Sequence, residues 1–318
     1  MTRQTPLAAA PAVRLRGVGR RFRRTDALSD VTLEVPEGVV CGLLGRNGAG
    51  KTTLMSLLAG HGQPSSGSVE VFGADPFTHA PTTSAVSFVR DDQRYPDDFR
   101  LPHLLAVAPR FHAAWSTERA AELVDAFRLP GRTDVKKYSR GQLSALGIVL
   151  GLASRAPLTV FDEPYLGLDA GARQVFYRQL VTDLAEHPRT VVVSTHLVDE
   201  MEALLDRVVV LEGGRVVRDS TVDEARAAAY TVSGPAAAVD ALTARLPVLA
   251  SHRLGGLRSA TVEGELTDEV DDAARRAGAQ TGPASLQELV LAHGVEPEVG
   301  VPGVPASAAA RASEGVPA

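Results

Sequence analysis

The stretch Val39-Val40-Cys41-Gly42-Leu43-Leu44-Gly45-Arg46-Asn47-Gly48-Ala49-Gly50-Lys51-Thr52-Thr53 decides the fold class. Its first six residues form an unbroken apolar run, the pattern of a strand covered on both faces in a parallel sheet. Gly45 to Thr52 then match G-x4-G-K-[ST], and residues 52–59 continue with helical spacing, so the motif has a strand before it and a helix after it. Glycines let the backbone N–H groups of Gly45, Asn47, Gly48, Ala49 and Gly50 turn inward around phosphates, and the helix start, with Lys51, Thr52 and Thr53, adds partial positive charge. In such a loop the Lys51 ammonium reaches the β- and γ-phosphates of a nucleotide and the Thr52 hydroxyl is a ligand for Mg²⁺. The chain contains only three lysines, Lys51, Lys136 and Lys137, so cations elsewhere are supplied by arginine and a lysine here is a specific choice.

Outward from the loop, residues 158–161 and 190–194 read as two more strands buried on both faces, each leading into polar residues and a helical segment. The first ends in Asp162-Glu163, where ligands of parallel sheets sit. There Asp162 can hold Mg²⁺, and Glu163 can orient or deprotonate a water attacking the γ-phosphate, a catalytic role. Residues 13–18 and 31–35 alternate apolar with polar, as half-buried strands do, and Gly213-Gly214 between 208–211 and 215–218 marks a tight hairpin. The stretch 97–154 reads as mostly helical, with Leu104, Leu105, Leu123, Val124 and Phe127 as core positions and Pro102, Pro109, Pro130 and Gly131 as breaks.

Tyr138-Ser139-Arg140-Gly141-Gln142 opens a helical run ahead of Asp162-Glu163-Pro164, Leu166-Gly167-Leu168-Asp169 and Ser194-Thr195-His196. With these motifs in this order, residues 13–218 resemble the ATP-binding subunit of ABC transporters. The resemblance implies an α/β fold, a P-loop NTPase of the ABC-type nucleotide-binding class with a helical subdomain, and Mg²⁺-dependent ATP hydrolysis. It also implies that Phe22 stacks on adenine, that Ser139 and Gly141 contact the γ-phosphate of ATP held by a second subunit, that His196 contacts the same phosphate as a catalytic residue, and that Asp169 works across the dimer interface. Three departures stand out. Tyr138 and Arg140 replace the family's leucine and first glycine, Leu166 replaces a small polar residue, and Asp91 falls where the family carries a glutamine after the strand 86–89. As a carboxylate, Asp91 can ligate Mg²⁺ or accept from the attacking water but cannot donate as an amide does; Gln93 is the alternative for that position.

A formal charge of −5, with 22% charged residues, offers no basic excess for holding nucleic acid, so no nucleic-acid partner is expected. The single cysteine, Cys41, cannot form an intrachain disulfide. No apolar stretch is long enough to span a bilayer, and the N-terminal Ala8–Ala10 region is too weakly apolar for a secretory signal. The expected assignment is therefore a cytoplasmic protein, peripheral on the cytoplasmic face of the membrane, that powers a separate permease docked near residues 91–115. Because the family's active site joins a phosphate loop and a signature turn from opposing chains and this chain has one of each, the resemblance implies a homodimer or a paralogous ATPase partner. The Ser285-Leu286-Gln287-Glu288-Leu289 ending resembles exporter-type subunits. Two alternatives remain open at this stage: a soluble ABC ATPase with an assembly role, and a nucleotide-dependent regulatory subunit without turnover. The expected organisation is an ATP-binding domain over 13–220 with its helical subdomain at 97–154, a small C-terminal α+β domain over 225–294, and a disordered tail over 295–318.

Overall fold

The computed structural model describes residues 11–292; the expectations for Ala8–Ala10 and for 295–318 lie outside the described residues. In chain order the elements are β1 (Pro11–Phe22), β2 (Thr25–Pro36), β3 (Val40–Leu44), α1 (Lys51–Leu58), β4 (Ser66–Val71), α2 (Ala80–Ser84), β5 (Val86–Val89), α3 (Leu101–Val107), α4 (Thr117–Ala126), α5 (Arg140–Ala153), β6 (Leu158–Asp162) and α6 (Ala170–Glu186). They continue with β7 (Thr190–Ser194), α7 (Val198–Met201), β8 (Arg207–Glu212), β9 (Arg215–Thr221), α8 (Val222–Ala227), β10 (Ala229–Pro235), α9 (Ala236–Thr243), β11 (Val248–Leu254), β12 (Leu257–Glu263), α10 (Asp268–Arg276), β13 (Gln280–Pro283) and α11 (Leu286–Ala292).

A six-stranded sheet in the order β5-β6-β7-β3-β8-β9 is parallel except at its β8–β9 edge. A second, antiparallel sheet, β2-β1-β4, covers one of its faces. This layering explains the unbroken apolar strands. Along β3, Cys41 and Leu43 face the core shared with β1, β2 and α1, while Val40 and Leu44 face the core shared with α5 and α6. On β7, Val192 belongs to the first core and Val191 and Val193 to the second, so both faces of its middle are covered by apolar side chains. Cys41 is buried among these residues, and burial pushes its thiol up to about 12.

The helical stretch is less continuous than its composition implies. Between α3 and α4 lies a short 3-10 turn at Ala108–Arg110. Pro102 does not break α3 but sits in its first turn, where a missing N–H costs nothing. Leu123 is fully buried, and Leu104, Leu105, Val124 and Phe127 pack partly buried against the same core.

β10 to β13 form a separate antiparallel sheet, ordered β11-β12-β10-β13, with its own small core of Tyr230, Val232, Val239, Ala260, Val262, Ala274 and Ala279. The closing helix α11 packs between β11 of that sheet and the helices α7 and α8. Leu286 and Leu289 are buried in the large core beside Val198, Met201, Val222 and Ala225, and the Gln287 amide donates to both carboxylate oxygens of Asp199 on α7.

A buried ion triad ties the helical stretch to the main sheet. Asp183 of α6, with no solvent exposure, receives Arg119 of α4 at 3.1 Å and Arg189 at 2.5 Å. Arg119 also donates to the Gln179 carbonyl, and Arg189 to the Thr159 hydroxyl and the His187 carbonyl, so the guanidinium protons have acceptors on both sides of the joint. Removing the central carboxylate strands the buried Arg189 and leaves Arg119 only the exposed Glu122 as counter-ion. Asp183→Asn is expected to lower the unfolding free energy by about 3–5 kcal/mol, read from urea denaturation. A loss below about 1 kcal/mol, the range of an exposed pair, contradicts a structural role for the triad.

Candidate functional site

The strand order brings the site together. Ser194, at the end of β7, pairs in register with Asp162 on one side and with Leu43 on the other, so the residues after β3, β6 and β7 emerge at one sheet edge. The loop after β3 folds back tightly: a Cβ at Gly45, whose φ is 149°, would drive into the Leu211 carbonyl. Arg46, Asn47 and Gly48 are exposed at the loop's outer rim, and Ala49 is buried beneath them. Lys51 is buried, with its ammonium donating to the carbonyls of Gly45 at 2.7 Å and Arg46 at 3.3 Å and lying 3.7 Å from Glu163 Oε1. Thr53, the next residue but one, is half-buried on the first turn of α1.

Asp162 is gripped at both oxygens. The Thr52 hydroxyl donates to Oδ2 at 2.6 Å and the Ser194 hydroxyl to Oδ1 at 2.8 Å. Burial nonetheless holds the Asp162 carboxyl above its usual range, assisted by the charges of Glu163 and Asp91. A cation beside Thr52 and Asp162 relieves that penalty. The donors are a hydroxyl and a carboxylate oxygen, the hard ligands Mg²⁺ takes, and no cluster of three or more His, Cys, Asp or Glu exists among the described residues to form an all-protein cage. The residues thus fit an ion shared with phosphate oxygens and water.

Glu163 follows in a left-handed backbone conformation, φ 45°, fixed by its N–H donating to Ser194 Oγ at 2.8 Å. Burial alone would raise its carboxyl, but the hydrogen bond from His196 and the charges of His196 and Lys51 outweigh it and hold the group below the usual range, ionised. His196 Nδ1 lies 2.8 Å from Glu163 Oε2. An ionised carboxylate accepts only, so its partner assigns the proton to Nδ1 and leaves Nε2 to face a ligand.

Four other residues are not part of this cluster. Phe22, 48% exposed, lies at the end of β1 opposite Thr25, with the Arg20 guanidinium 4.7 Å from its ring centroid. Ser139 caps α5: its Oγ accepts from the Gln142 N–H at 3.2 Å, which leaves the hydroxyl proton for a ligand. Gly141 is packed so closely on the Leu166–Asp169 turn that a Cβ would strike the Gly167 carbonyl. Asp169 caps α6 by accepting from the Ala172 N–H at 2.8 Å.

The departures in the signature turn have local causes. Tyr138 is buried in the large core and its hydroxyl donates to the Pro130 carbonyl, so the aromatic replaces leucine as packing. Asp91, expected beside Mg²⁺, makes its ion pair with Arg140 at 3.5 Å and no hydrogen bond to Thr52 or Asp162. The two departures from the family pattern face each other. Gln93 instead lines a cavity of about 260 Å³ with Phe88, Tyr95, Leu104, Phe111 and Trp115. The sequence reading passed over Tyr165, which touches Thr195 and His196; a tyrosine inside an otherwise absorbed motif gives no signal of its own.

The glycine loop thus closes over a lysine, with a hydroxyl–carboxylate pair and a glutamate–histidine pair beside it. Residues 28–166 match the family model described as ABC transporter. The chain is 34% identical over 212 residues to the aliphatic sulfonates import ATP-binding protein SsuB 1 of Rhodococcus jostii, covering 66% of this chain and 83% of that one. It is 33% identical over 220 residues to the daunorubicin/doxorubicin resistance ATP-binding protein DrrA of Streptomyces peucetius, covering 67% of this chain and 66%, just under two thirds, of DrrA. A solved ATP-binding subunit of an ABC transporter superimposes with a TM-score of 0.62 at 25% identity, covering 68% of this chain and 92% of that one. The MJ0796 cassette, solved as a post-hydrolysis dimer bound to ADP and Pi, shares the fold with a TM-score of 0.56 at 21% identity, over 66% of this chain and 98% of that one. The chain belongs to the ATP-binding subunits of ABC transporters, a family of ATPases that drive transport.

Lys51→Ala removes the cation that the loop carbonyls hold, and the buried Glu163 keeps His196 as its partner. Mg-ATP affinity by calorimetry is expected to fall by about 10²-fold, the scale of a lost charge-assisted contact, with the melting temperature little changed. An affinity within about twofold of wild type, less than the smallest hydrogen-bond effect, contradicts the assignment of this loop.

Proposed function

We propose that this chain hydrolyses ATP to power a membrane exporter through a separate permease. The observation that carries the catalytic part is the Glu163–His196 contact beside Lys51 and the Thr52–Asp162 pair. The Lys51 ammonium and the loop N–H groups of residues 45–52 bind the phosphates. Thr52 and Asp162 would hold Mg²⁺, which when bound neutralises charge developing on the phosphates. Glu163, ionised, takes the proton from the attacking water, and His196 fixes the carboxylate that does so. Retention of both residues in contact disfavours the regulatory subunit without turnover.

The site is completed by a second chain, a copy or a paralogue, whose Ser139 hydroxyl and Gly141 N–H reach the γ-phosphate. Phe22 provides the adenine platform. We read residues 13–220 as the ATP-binding domain, with 97–154 its helical subdomain and 225–294 an accessory unit. The export direction is supported by the likeness to DrrA, a drug-resistance protein by name, and by the Ser285–Leu289 ending; a relative named for import stands at similar identity, so direction is the part of the proposal that a transport assay decides.

Among the described residues no helix is long and apolar enough to cross a membrane; the separate permease is supported by the likeness to ATP-binding subunits of ABC transporters. The cavity near Gln93 is its docking place: it is lined by the half-buried Phe88, Tyr95 and Trp115 and the exposed Phe111, and His112 Nδ1 and Trp115 Nε1 are buried there without a hydrogen-bond partner among the described residues. A position on the cytoplasmic face of the membrane is part of the same proposal, supported by the likeness to ATP-binding subunits of ABC transporters. Asp91→Asn, which breaks the pair with Arg140, is expected to keep ATP binding and basal hydrolysis while weakening permease stimulation; unchanged stimulation transfers the coupling role to Gln93.

Glu163→Gln keeps shape and removes the base. Phosphate release is expected to fall by about 10²–10⁴-fold with Mg-ATP binding retained, and size-exclusion chromatography should show an ATP-dependent dimer that wild type loses on turnover. Hydrolysis at the wild-type rate would falsify the role of Glu163, and an inactive variant that stays monomeric with ATP contradicts the shared site.

A further inference from the structure

Tyr165 occupies the gap between Asp162-Glu163-Pro164 and the Leu166–Asp169 turn, and its ring is buried at 2% exposure. It packs edge-on against the imidazole of His196, with centroids 5.3 Å apart and the planes at 73°. Its hydroxyl lies among the groups that follow β7. The His196 backbone N–H donates to it at 2.8 Å, it donates to Thr195 Oγ1 at 2.9 Å, and His196 Nδ1 is 3.4 Å away. Thr195 Oγ1 in turn accepts from the Leu197 N–H at 2.9 Å. On the main chain, the Tyr165 carbonyl accepts from the Leu168 N–H, which anchors the tyrosine to the turn ending at Asp169.

A phenylalanine would fill the same volume, so packing does not call for the hydroxyl. What the hydroxyl adds is a fixed position for His196, which sits in irregular backbone between β7 and α7 with no ladder to hold it. Among the described residues the imidazole's hydrogen-bonding partners are Glu163 and Tyr165. Held through its backbone by the phenol oxygen and through its ring by the tyrosine edge, the imidazole is left with one short contact, to the Glu163 carboxylate.

We propose that Tyr165 is a positioning residue for hydrolysis, holding His196 against Glu163 through its hydroxyl. The inference rests on the reading of the chain as an ATPase that uses Glu163 and His196. Tyr165 acts through His196 and has no contact with ATP of its own, so its effect falls on kcat and vanishes when His196 is absent.

The test is a double-mutant cycle on the full chain with Mg-ATP, comparing wild type, Tyr165→Phe, His196→Ala and the double variant. The KM for ATP and the calorimetric affinity of Tyr165→Phe are expected to stay within about twofold of wild type, while kcat falls about tenfold, the effect of one neutral hydrogen bond missing at the transition state. The double variant should be no slower than His196→Ala alone. Wild-type kcat in Tyr165→Phe, or an equal further loss on top of His196→Ala, overturns the proposal. Should Tyr165→Phe fail to fold, Thr195→Val enters the cycle in its place: it removes the acceptor that orients the tyrosine hydroxyl while the His196 N–H bond remains, so a smaller loss of kcat, again absent in the His196→Ala background, is expected. A wild-type chain that binds ATP without hydrolysing it overturns the ATPase reading and the proposal together, whereas an active wild type with an unaffected Tyr165→Phe overturns the positioning role alone.

Discussion

The carboxylate of Asp162 is the joint on which the site depends. One oxygen is held by Thr52 at the start of α1 and the other by Ser194 at the end of β7, so a single side chain fixes the phosphate loop relative to two strands. Ser194 extends the joint, because its oxygen also accepts from the Glu163 N–H and so sets the strained backbone from which the glutamate projects. These contacts exist only because β7 lies between β3 and β6; any other strand order would separate the loop from the carboxylates.

Electrostatically the site is closed upon itself. The Lys51 ammonium is satisfied by loop carbonyls, Glu163 by His196, and Asp162 by two hydroxyls, yet Asp162 is still raised by burial and by its acidic neighbours. Phosphates entering alone would add negative charge next to Asp162 and Glu163. Lys51 offers the buried ammonium there, so nucleotide and divalent cation belong together at this site. Exchange of the Gly45 and Arg46 carbonyls for phosphate oxygens is nearly neutral in hydrogen-bond number, and the cation changes the balance.

Much of this was legible in the sequence because its signals are strong local ones. The run 39–44, the glycine loop and the carboxylates after 158–161 each combine a period with a residue type that chemistry restricts, and the structure sets them side by side. Asp91 shows the limit: its position after β5 was readable, but its pairing with Arg140 depends on how the signature turn packs, which spacing along the chain does not encode. The C-terminal unit was read in outline only. β11 carries Ser251, His252 and Arg253 on an exposed edge and β13 is Gln280-Thr281-Gly282-Pro283, so neither period nor propensity marks these strands, whereas α10 does carry a helical signal, with Thr267 as its cap, acids in its first turn and arginines in its last. Tyr165 was missed because its role lies in a hydroxyl directed at backbone and threonine, contacts that leave no pattern in sequence.

The central claim is that the loop of one chain and the Ser139 turn of another make one catalytic site. It is tested most directly by mixing two chains that are each inactive alone, one carrying Lys51→Ala and the other Ser139→Phe, and measuring phosphate release. In the mixed dimer one site combines both lesions and the other combines the intact loop with the intact turn. The account predicts that activity returns on mixing and rises with the fraction of mixed dimer. Activity that stays at the level of the separate chains contradicts it.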